Sequence, residues 1–451
     1  MTSTTWDDGY AVAPPRQQMQ ERQKAWLALP VVLLVIAFIM PPETSVAIGS
    51  LRLSPYRVIL LIMVVPNMIH LLSGKAGPLN GVDLAVIAHG VWCIIALGNY
   101  GGFAQALESG GIYFVECFGA YAMGRRYIRN VADFQALSIL IAIVICGLLA
   151  VALPESVTHT HFVRETFRAV LGGPGLQFIE PRMGLARAYG SFEHPILFGV
   201  FCSMAFATAW FVARPILSPL RSWLIIICIV LASFVSLSAG AWMMVGVQIA
   251  LAGWAYVTRG LPGRWAILIG LFVMSLVVVS LLSNRSPVKV FISYASFSAR
   301  SSYNRILIWE YGTAEVGRHP LLGIGLGEWV RAPWMSTSMD NFWLVVAVRY
   351  GLPALIFLAI AILLILFRAA GQKGRDQAWE FCRMGWIVTI VGTAVAACTV
   401  HLWNNTFGFF MFVVGAGAWL MERPKAPAIN NYSEPDHFAH EGESHGTYRH
   451  H

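Results

Sequence analysis

Between Ala25 and Leu420 apolar stretches close to bilayer length follow one another almost without a break, more than any soluble core could absorb. A hydrocarbon layer about 30 Å thick takes roughly 20 apolar residues as a helix. Inside it every backbone donor and acceptor needs an internal partner, so only helices or a closed barrel can cross. Runs such as Pro30–Met40 and Leu352–Phe367 are continuously apolar and lack the alternation of a barrel strand. Only 12% of the residues are charged, against about a quarter in soluble domains. The fold class expected is therefore an all-α polytopic membrane protein with about 12 transmembrane helices. The expected spans are 25–40, 54–72, 82–98, 111–124, 134–153, 195–213, 222–237, 240–257, 264–282, 351–368, 384–401 and 403–421.

Lys and Arg test such a path, because cytoplasmic loops collect them. With the N-terminus in the cytoplasm, every internal connection holds at least one, among them Lys75, Arg125, Arg126, Arg129, Arg214, Arg221, Arg259 and Arg383. The expected domains are a cytoplasmic arm (1–24), a transmembrane domain (25–421, with outer loops 154–194 and 283–350) and a disordered cytoplasmic tail (422–451). The polar arm ahead of the first apolar run argues for a retained first span rather than a cleaved signal. The seven cysteines fall in or beside apolar segments, with no CxxC, and read as inert buried thiols.

Apart from Arg52 and Arg57, the outer cations sit in two loops. One carries Arg164, Arg168, Arg182 and Arg187. The other, between spans 9 and 10, carries Arg285, Lys289, Arg300, Arg305, Arg318, Arg331 and Arg349. Long loops translocate whatever their charge, yet cations concentrated there suit an anionic ligand at the outer surface. Segment 301–318 places Ile306, Trp309, Tyr311 and Ala314 at near-helical spacing and predicts a short helix on the membrane surface.

Three segments carry candidate chemistry. In 182–199, Arg187 precedes Gly190, and His194 precedes Pro195 at the favoured first turn of a helix, a setting apt for phosphate. In 304–327, Arg305 and Trp309 lead to Arg318, His319, Pro320 and the run Gly323-Ile-Gly325-Leu-Gly327. No strand precedes those glycines, so a dinucleotide fingerprint is excluded and tight backbone turning is the reading kept. In 338–353, Asp340 and Asn341 precede an apolar run at Phe342; Asp340 reads equally as a helix cap and as a base, and the two are compatible. Glu193, His194 and His319 are further proton acceptors.

In this order and spacing the three segments resemble the O-antigen ligase and polymerase superfamily of bacterial envelope enzymes. The resemblance rests on Arg187-Ala-Tyr-Gly190 with His194-Pro195, on Arg305 with Trp309 and His319-Pro320, and on Asp340-Asn341 followed by Gly351-Leu352. It implies a GT-C-like integral glycosyltransferase with a large periplasmic loop between spans 9 and 10, in the bacterial inner membrane, its active site facing the periplasm. It implies an undecaprenyl-diphosphate-linked glycan donor, a sugar acceptor, contact with membrane lipids and other envelope polysaccharide assembly proteins, no nucleic acid, and no cofactor or metal. Carried over residue by residue, Arg187 and Arg305 would hold the diphosphate and Asp340 would act as base. Arg182, His194, Arg300, Arg318, His319 and Asn341 would bind substrate. Ligases of the family carry histidine where this chain has Asp340, which favours polymerisation of repeat units over attachment of finished glycan to lipid A core. The other classes weighed are a transporter or flippase and a non-catalytic scaffold. Few ionisable residues lie within the spans, chiefly His89 and Glu116, which argues against transport.

Overall fold

The computed structural model describes residues 27–49, 51–173, 175–294, 299–372 and 376–422. The expected arm 1–24, and the expected tail beyond Glu422, lie outside the described residues. The chain is mostly helical, and each of the twelve expected segments contains a helix. Among the described residues, seven helices are long and apolar enough to cross a membrane: Pro55–Leu72, Gly81–Tyr127, Val131–Thr158, Pro195–Ile216, Ala239–Val257, Arg264–Leu282 and Leu352–Gly371. Leu29–Phe38 and Pro219–Val235 are apolar but shorter. Gly81–Tyr127 contains two expected spans, joined through a break at Gly102, whose φ is 70°.

In chain order the helices are α1 (Leu29–Phe38), α2 (Pro55–Leu72), α3 (Gly81–Gln105), α4 (Gly111–Phe114), α5 (Ala120–Tyr127), α6 (Val131–Thr158) and α7 (Phe162–Leu171). After the first long loop come α8 (Pro195–Met204), α9 (Phe206–Thr208), α10 (Pro219–Val235), α11 (Ala239–Val257) and α12 (Arg264–Leu282). The second long loop contributes α13 (Pro287–Tyr294), α14 (Ala299–Arg318) and α15 (Phe342–Tyr350), and the chain continues into α16 (Leu352–Gly371), α17 (Gln377–Ala396) and α18 (Asn404–Ala416). The expectation of an all-α chain needs one correction: β1 (Val46–Ile48) and β2 (Leu51–Leu53) pair antiparallel between α1 and α2. Gly49, with φ 62°, supplies the left-handed turn between them.

Local sequence sets the helix starts. Asn80 accepts from the amides of Val82 (2.9 Å) and Asp83 (3.4 Å), while Asp83 accepts from the Asn80 amide (3.0 Å), a reciprocal cap at the head of α3. Asn130 caps α6 and Asp376 caps α17, each by accepting from the amide three residues on, Asp133 and Trp379. The polar groups expected within the spans are satisfied. His89 bonds the Ala354 carbonyl (2.8 Å) and the Tyr113 hydroxyl (3.0 Å). Glu116 accepts from Tyr56 and pairs with Arg57 at 2.8 Å. The cysteines are free thiols, four of them buried. By contrast α12 buries none of its side chains, the behaviour of a helix whose apolar surface suits lipid on every side.

Both long loops are structured, and their bounds shift. α6 runs through Pro154 to Thr158, and α15 begins at Phe342, so helix extends into both stretches expected as loops, 154–194 and 283–350. α14 is the expected loop helix, with a different buried face. Ser302, Arg305, Ile308, Gly312 and Glu315 turn inward, whereas Ala314 is exposed and Ile306, Trp309 and Tyr311 are half-buried. Gly312 permits that orientation, since a Cβ there would lie 2.5 Å from Leu344 of α15. The polar members of the stripe are tolerated because Ser302 donates to the Ser293 carbonyl, Glu315 pairs with Arg318 and Arg305 lines a cavity.

Candidate functional site

The segment carrying Arg187 is strapped to the ends of two helices. The Glu155 carboxylate, fully buried at the end of α6, accepts from the amides of Tyr189 (2.8 Å) and Gly190 (3.0 Å) and bonds His161. Ser156 and Ala186 exchange two bonds, Oγ to carbonyl at 2.7 Å and amide to carbonyl at 2.9 Å. The Ala188 amide reaches the Val235 carbonyl at the end of α10 (3.0 Å). Gly190, with φ 57°, makes the turn that presents two successive amides to one carboxylate. Arg187 is thereby held buried, its Nε 3.4 Å from the Ser236 carbonyl, with no ion pair among the described residues.

The second segment positions the site through α15. Gly323 and Gly325 adopt φ of 63° and 60°. The amides of Ile324 and Gly325 donate to the carbonyls of Val348 (2.8 Å) and Arg349 (2.9 Å). A Cβ on Gly323 would lie 2.4 Å from the Val348 carbonyl oxygen. The glycine run thus turns tightly, as expected, against the C-terminal end of α15.

At the other end of α15 the cap is Asn341: its Oδ1 accepts from the Leu344 amide at 3.0 Å. The alternative that Asp340 caps this helix is overturned, and the Asp340 carboxylate is left to the cavity. The Phe342 amide donates to the carbonyls of Ala397 (2.9 Å) and Val400 (3.0 Å), which lays the loop between α17 and α18 against the same spot.

Two adjoining cavities, about 700 and 720 Å³, share Arg182, Arg305 and Asp340 on their walls together with Ser301, Ser336 and Ser338. The first extends to Arg300 and Trp334, the second to Arg187, His194, Arg349, His401 and Trp403. The structure therefore brings six of the nine expected site residues to one place: Asp340, Arg305, Arg187, Arg182, His194 and Arg300. The other three lie elsewhere. Arg318 and His319 turn to Glu315, and both are nearly half exposed. Asn341 is occupied as the cap. Glu193, the remaining proton-acceptor candidate, accepts from Asn404 at 2.7 Å. The reading of the sequence named Arg349 only among the loop cations, without a site role, and left out His401 and Trp403. A histidine and a tryptophan between two apolar runs were the available signal, hidden by placing His401 inside a span.

Electrostatics follow from burial. Arg187 is pushed down to about 10, by burial first and by Arg182 beside it. Burial lowers Arg182 and Arg305 as well, with Asp340 opposing. Burial lifts the Asp340 carboxyl above its ordinary value, outweighing the pull of Arg305, Arg187 and Arg182. His194 is lowered to about 4, by burial and then by Arg187, so it is neutral at neutral pH. Its Nδ1 takes the Ile196 amide proton (3.1 Å) and caps α8. The ring proton of the neutral form then sits on Nε2, making His194 a donor rather than a base.

Of the other expected outer cations, Arg164 serves the fold. Its guanidinium pairs with buried Glu43 at 2.6 Å and donates to the Phe192 carbonyl at 2.9 Å, tying α7 to the turn after α1.

Residues 224–359 match the family model described as O-Antigen ligase, which supports the resemblance to the O-antigen ligase and polymerase superfamily over that segment. The matched stretch runs from α10 into α16 and contains Arg305 and Asp340, whereas Arg187 precedes it. A comparison with curated proteins finds no match. The apolar helices and the family match together describe a multi-pass helical membrane protein.

Proposed function

We propose that the chain transfers a glycan from a lipid diphosphate carrier to a sugar hydroxyl at the outer face of the bacterial inner membrane, most directly as a polymerase of carrier-linked repeat units. One observation carries the reading: Arg182, Arg187 and Arg305, from two loops far apart in sequence, share a cavity wall with the half-buried carboxylate of Asp340, while Glu328 on the same wall is exposed and paired with Arg331. Buried guanidinium groups favour an anionic ligand, and two unit charges about 4 Å apart attract by roughly 4 kcal/mol at an effective dielectric of 20. Planar, multidentate guanidinium matches diphosphate oxygens.

In the reaction proposed, the acceptor hydroxyl attacks the anomeric carbon of the donor. The new glycosidic C–O bond forms as the bond to the diphosphate oxygen breaks, and the electron pair leaves with the diphosphate. Arg187 and Arg305 act where that charge develops, which makes them transition-state groups as well as binding groups. Asp340 takes the hydroxyl proton. Its pKa is raised, toward the operating pH at which a general base works best. The twelve-span path, with both long loops on the periplasmic side, is part of this proposal; it places the cavity where a carrier lipid in the outer leaflet can reach it.

The test is incubation of purified protein in liposomes with carrier-linked repeat units alone. A ladder of products supports polymerisation. Single transfer that needs a separate acceptor, such as lipid A core, reassigns the chain as a ligase. No glycan transfer under either condition, with loss of sugar or lipid from one liposome face to the other, overturns the enzyme reading in favour of transport.

A further inference from the structure

The cavity wall formed by the loop between α17 and α18 has a different chemistry from the arginine wall. Trp403, half-buried, lies between two histidines: its ring centroid is 5.4 Å from that of His401, with 26° between planes, and 5.6 Å from that of His194. All three line the second cavity with Arg187, Arg305 and Asp340. Among the described residues, His401 Nδ1 is buried and has no hydrogen-bond partner. A buried polar nitrogen of that kind is costly unless something else supplies its bond.

The next residue, Asn404, extends the wall outward. Its φ of 50° is a left-handed conformation that asparagine tolerates better than most residues. Its Oδ1 accepts from Arg57 at 3.0 Å and its Nδ2 donates to Glu193 at 2.7 Å. Asn404 and Glu193 also border a narrow recess of about 60 Å³ beside the main cavity. The exposed Glu193 carboxylate keeps acceptor capacity beyond that one bond.

We infer that Trp403, flanked by His401 and His194, is the platform of the acceptor sugar subsite, with Asn404 and Glu193 reading hydroxyls at its edge. A pyranose presents an apolar face of C–H groups and a rim of hydroxyls. An indole face suits the first, while ring nitrogens, an amide and a carboxylate suit the second. A diphosphate fits this wall less well than the arginine wall, because the Glu193 carboxylate repels it and the imidazole, amide and indole donors carry no charge. The two walls therefore divide the labour: guanidinium groups for the leaving group, the aromatic wall for the incoming sugar, with Asp340 bordering the same cavity. This inference rests on the glycosyl transfer proposed above.

The experiment uses two probes on the full-length protein in detergent or nanodiscs. Undecaprenyl diphosphate without sugar reports the arginine wall. Glycan released from its carrier by mild acid, which has no diphosphate, reports the sugar wall. Trp403→Ala is expected to weaken binding of the free glycan at least ten-fold and to leave undecaprenyl diphosphate binding within two-fold; Arg187→Ala does the reverse. Trp403→Phe, which keeps a ring, loses less than Trp403→Ala, and Glu193→Gln weakens the glycan alone. In turnover, Trp403→Phe raises KM for the acceptor with kcat nearly unchanged. Undecaprenyl diphosphate binding with unaltered glycan affinity in Trp403→Ala and Glu193→Gln overturns the subsite while leaving the enzyme reading intact. Failure of the wild-type protein to bind undecaprenyl diphosphate overturns the enzyme reading itself. Should Trp403→Ala lose both probes, the Trp403→Phe and Glu193→Gln results decide.

Discussion

Asp340 and Asn341 stand side by side in the chain, but one lines the cavity and the other caps a helix. Asn341 spends its side-chain oxygen on the head of α15, so Asp340→Asn leaves that helix capped as before. The variant is expected to lose turnover by about a hundred-fold or more, the usual worth of a positioned base, with a Tm at neutral pH no lower than wild type. The sign follows from its raised pKa. A carboxyl that holds its proton more tightly when folded contributes stability at low pH and loses it as pH rises through the folded pKa. The ionised group is thus a cost at neutral pH that Asn removes. Activity runs the other way, and its acid limb should lie above the value of about 3.9 for an exposed aspartate; a limb at or below that value would assign the base elsewhere. Arg187 makes a parallel case. Its depression to about 10 corresponds to a burial cost on the order of 3 kcal/mol. Arg187→Met should melt no earlier than wild type, yet bind no lipid diphosphate and transfer no glycan, and Arg187→Lys should recover only part of the activity because ammonium cannot bridge two oxygens in one plane. A marked fall in Tm for Arg187→Met would mean the guanidinium is structural.

Among the elements, α6 acts on the site indirectly. Its last turns supply Glu155 and Ser156, which fix the backbone from Ala186 to Gly190. Glu155→Ala leaves two buried amides without an acceptor, at about 1–3 kcal/mol each. It should lower Tm and abolish transfer together, although Glu155 is absent from the walls of the cavity. Thermal melting alongside turnover checks this, and a variant with normal activity would show that the loop is held by other contacts. α14 makes a different point about elements. Its position was legible from spacing, but its buried face was not. The apolar residues Ile306, Trp309 and Tyr311 marked one stripe, and the protein buries Ser302, Arg305 and Glu315 along another. Periodicity reports where apolar side chains would like to go; it is silent about a polar cavity that accepts a cation and a carboxylate.

For the whole molecule, orientation is the quantity that matters most, because the proposed donor is reachable only if both long loops emerge on the periplasmic side. Ser336, exposed and bordering both cavities, offers a test in a background whose native cysteines are replaced. A Ser336→Cys variant should react with a membrane-impermeant maleimide in intact cells with a permeabilised outer membrane. A cysteine at Arg221 should react only after the inner membrane is opened. The opposite pattern would place the cavity on the cytoplasmic side and remove the donor from reach.

The sequence by itself determined the helical class and the segments that hold the long apolar helices, because a hydrocarbon solvent leaves a chain few choices and puts a high cost on every misplaced charge. It also marked Arg187, Arg305 and Asp340 as candidates through their motifs. The tertiary structure decided which of the candidates meet. Arg318 and His319 share a motif with Arg305, yet one helical element turns Arg305 inward and leaves them to Glu315. His401 and Trp403 come from a loop more than 60 residues beyond Asp340 and reach the cavity because the Phe342 amide finds its acceptors at Ala397 and Val400. Such convergence depends on which long-range hydrogen bonds and packing contacts close, and those are properties of the folded chain that local spacing does not encode.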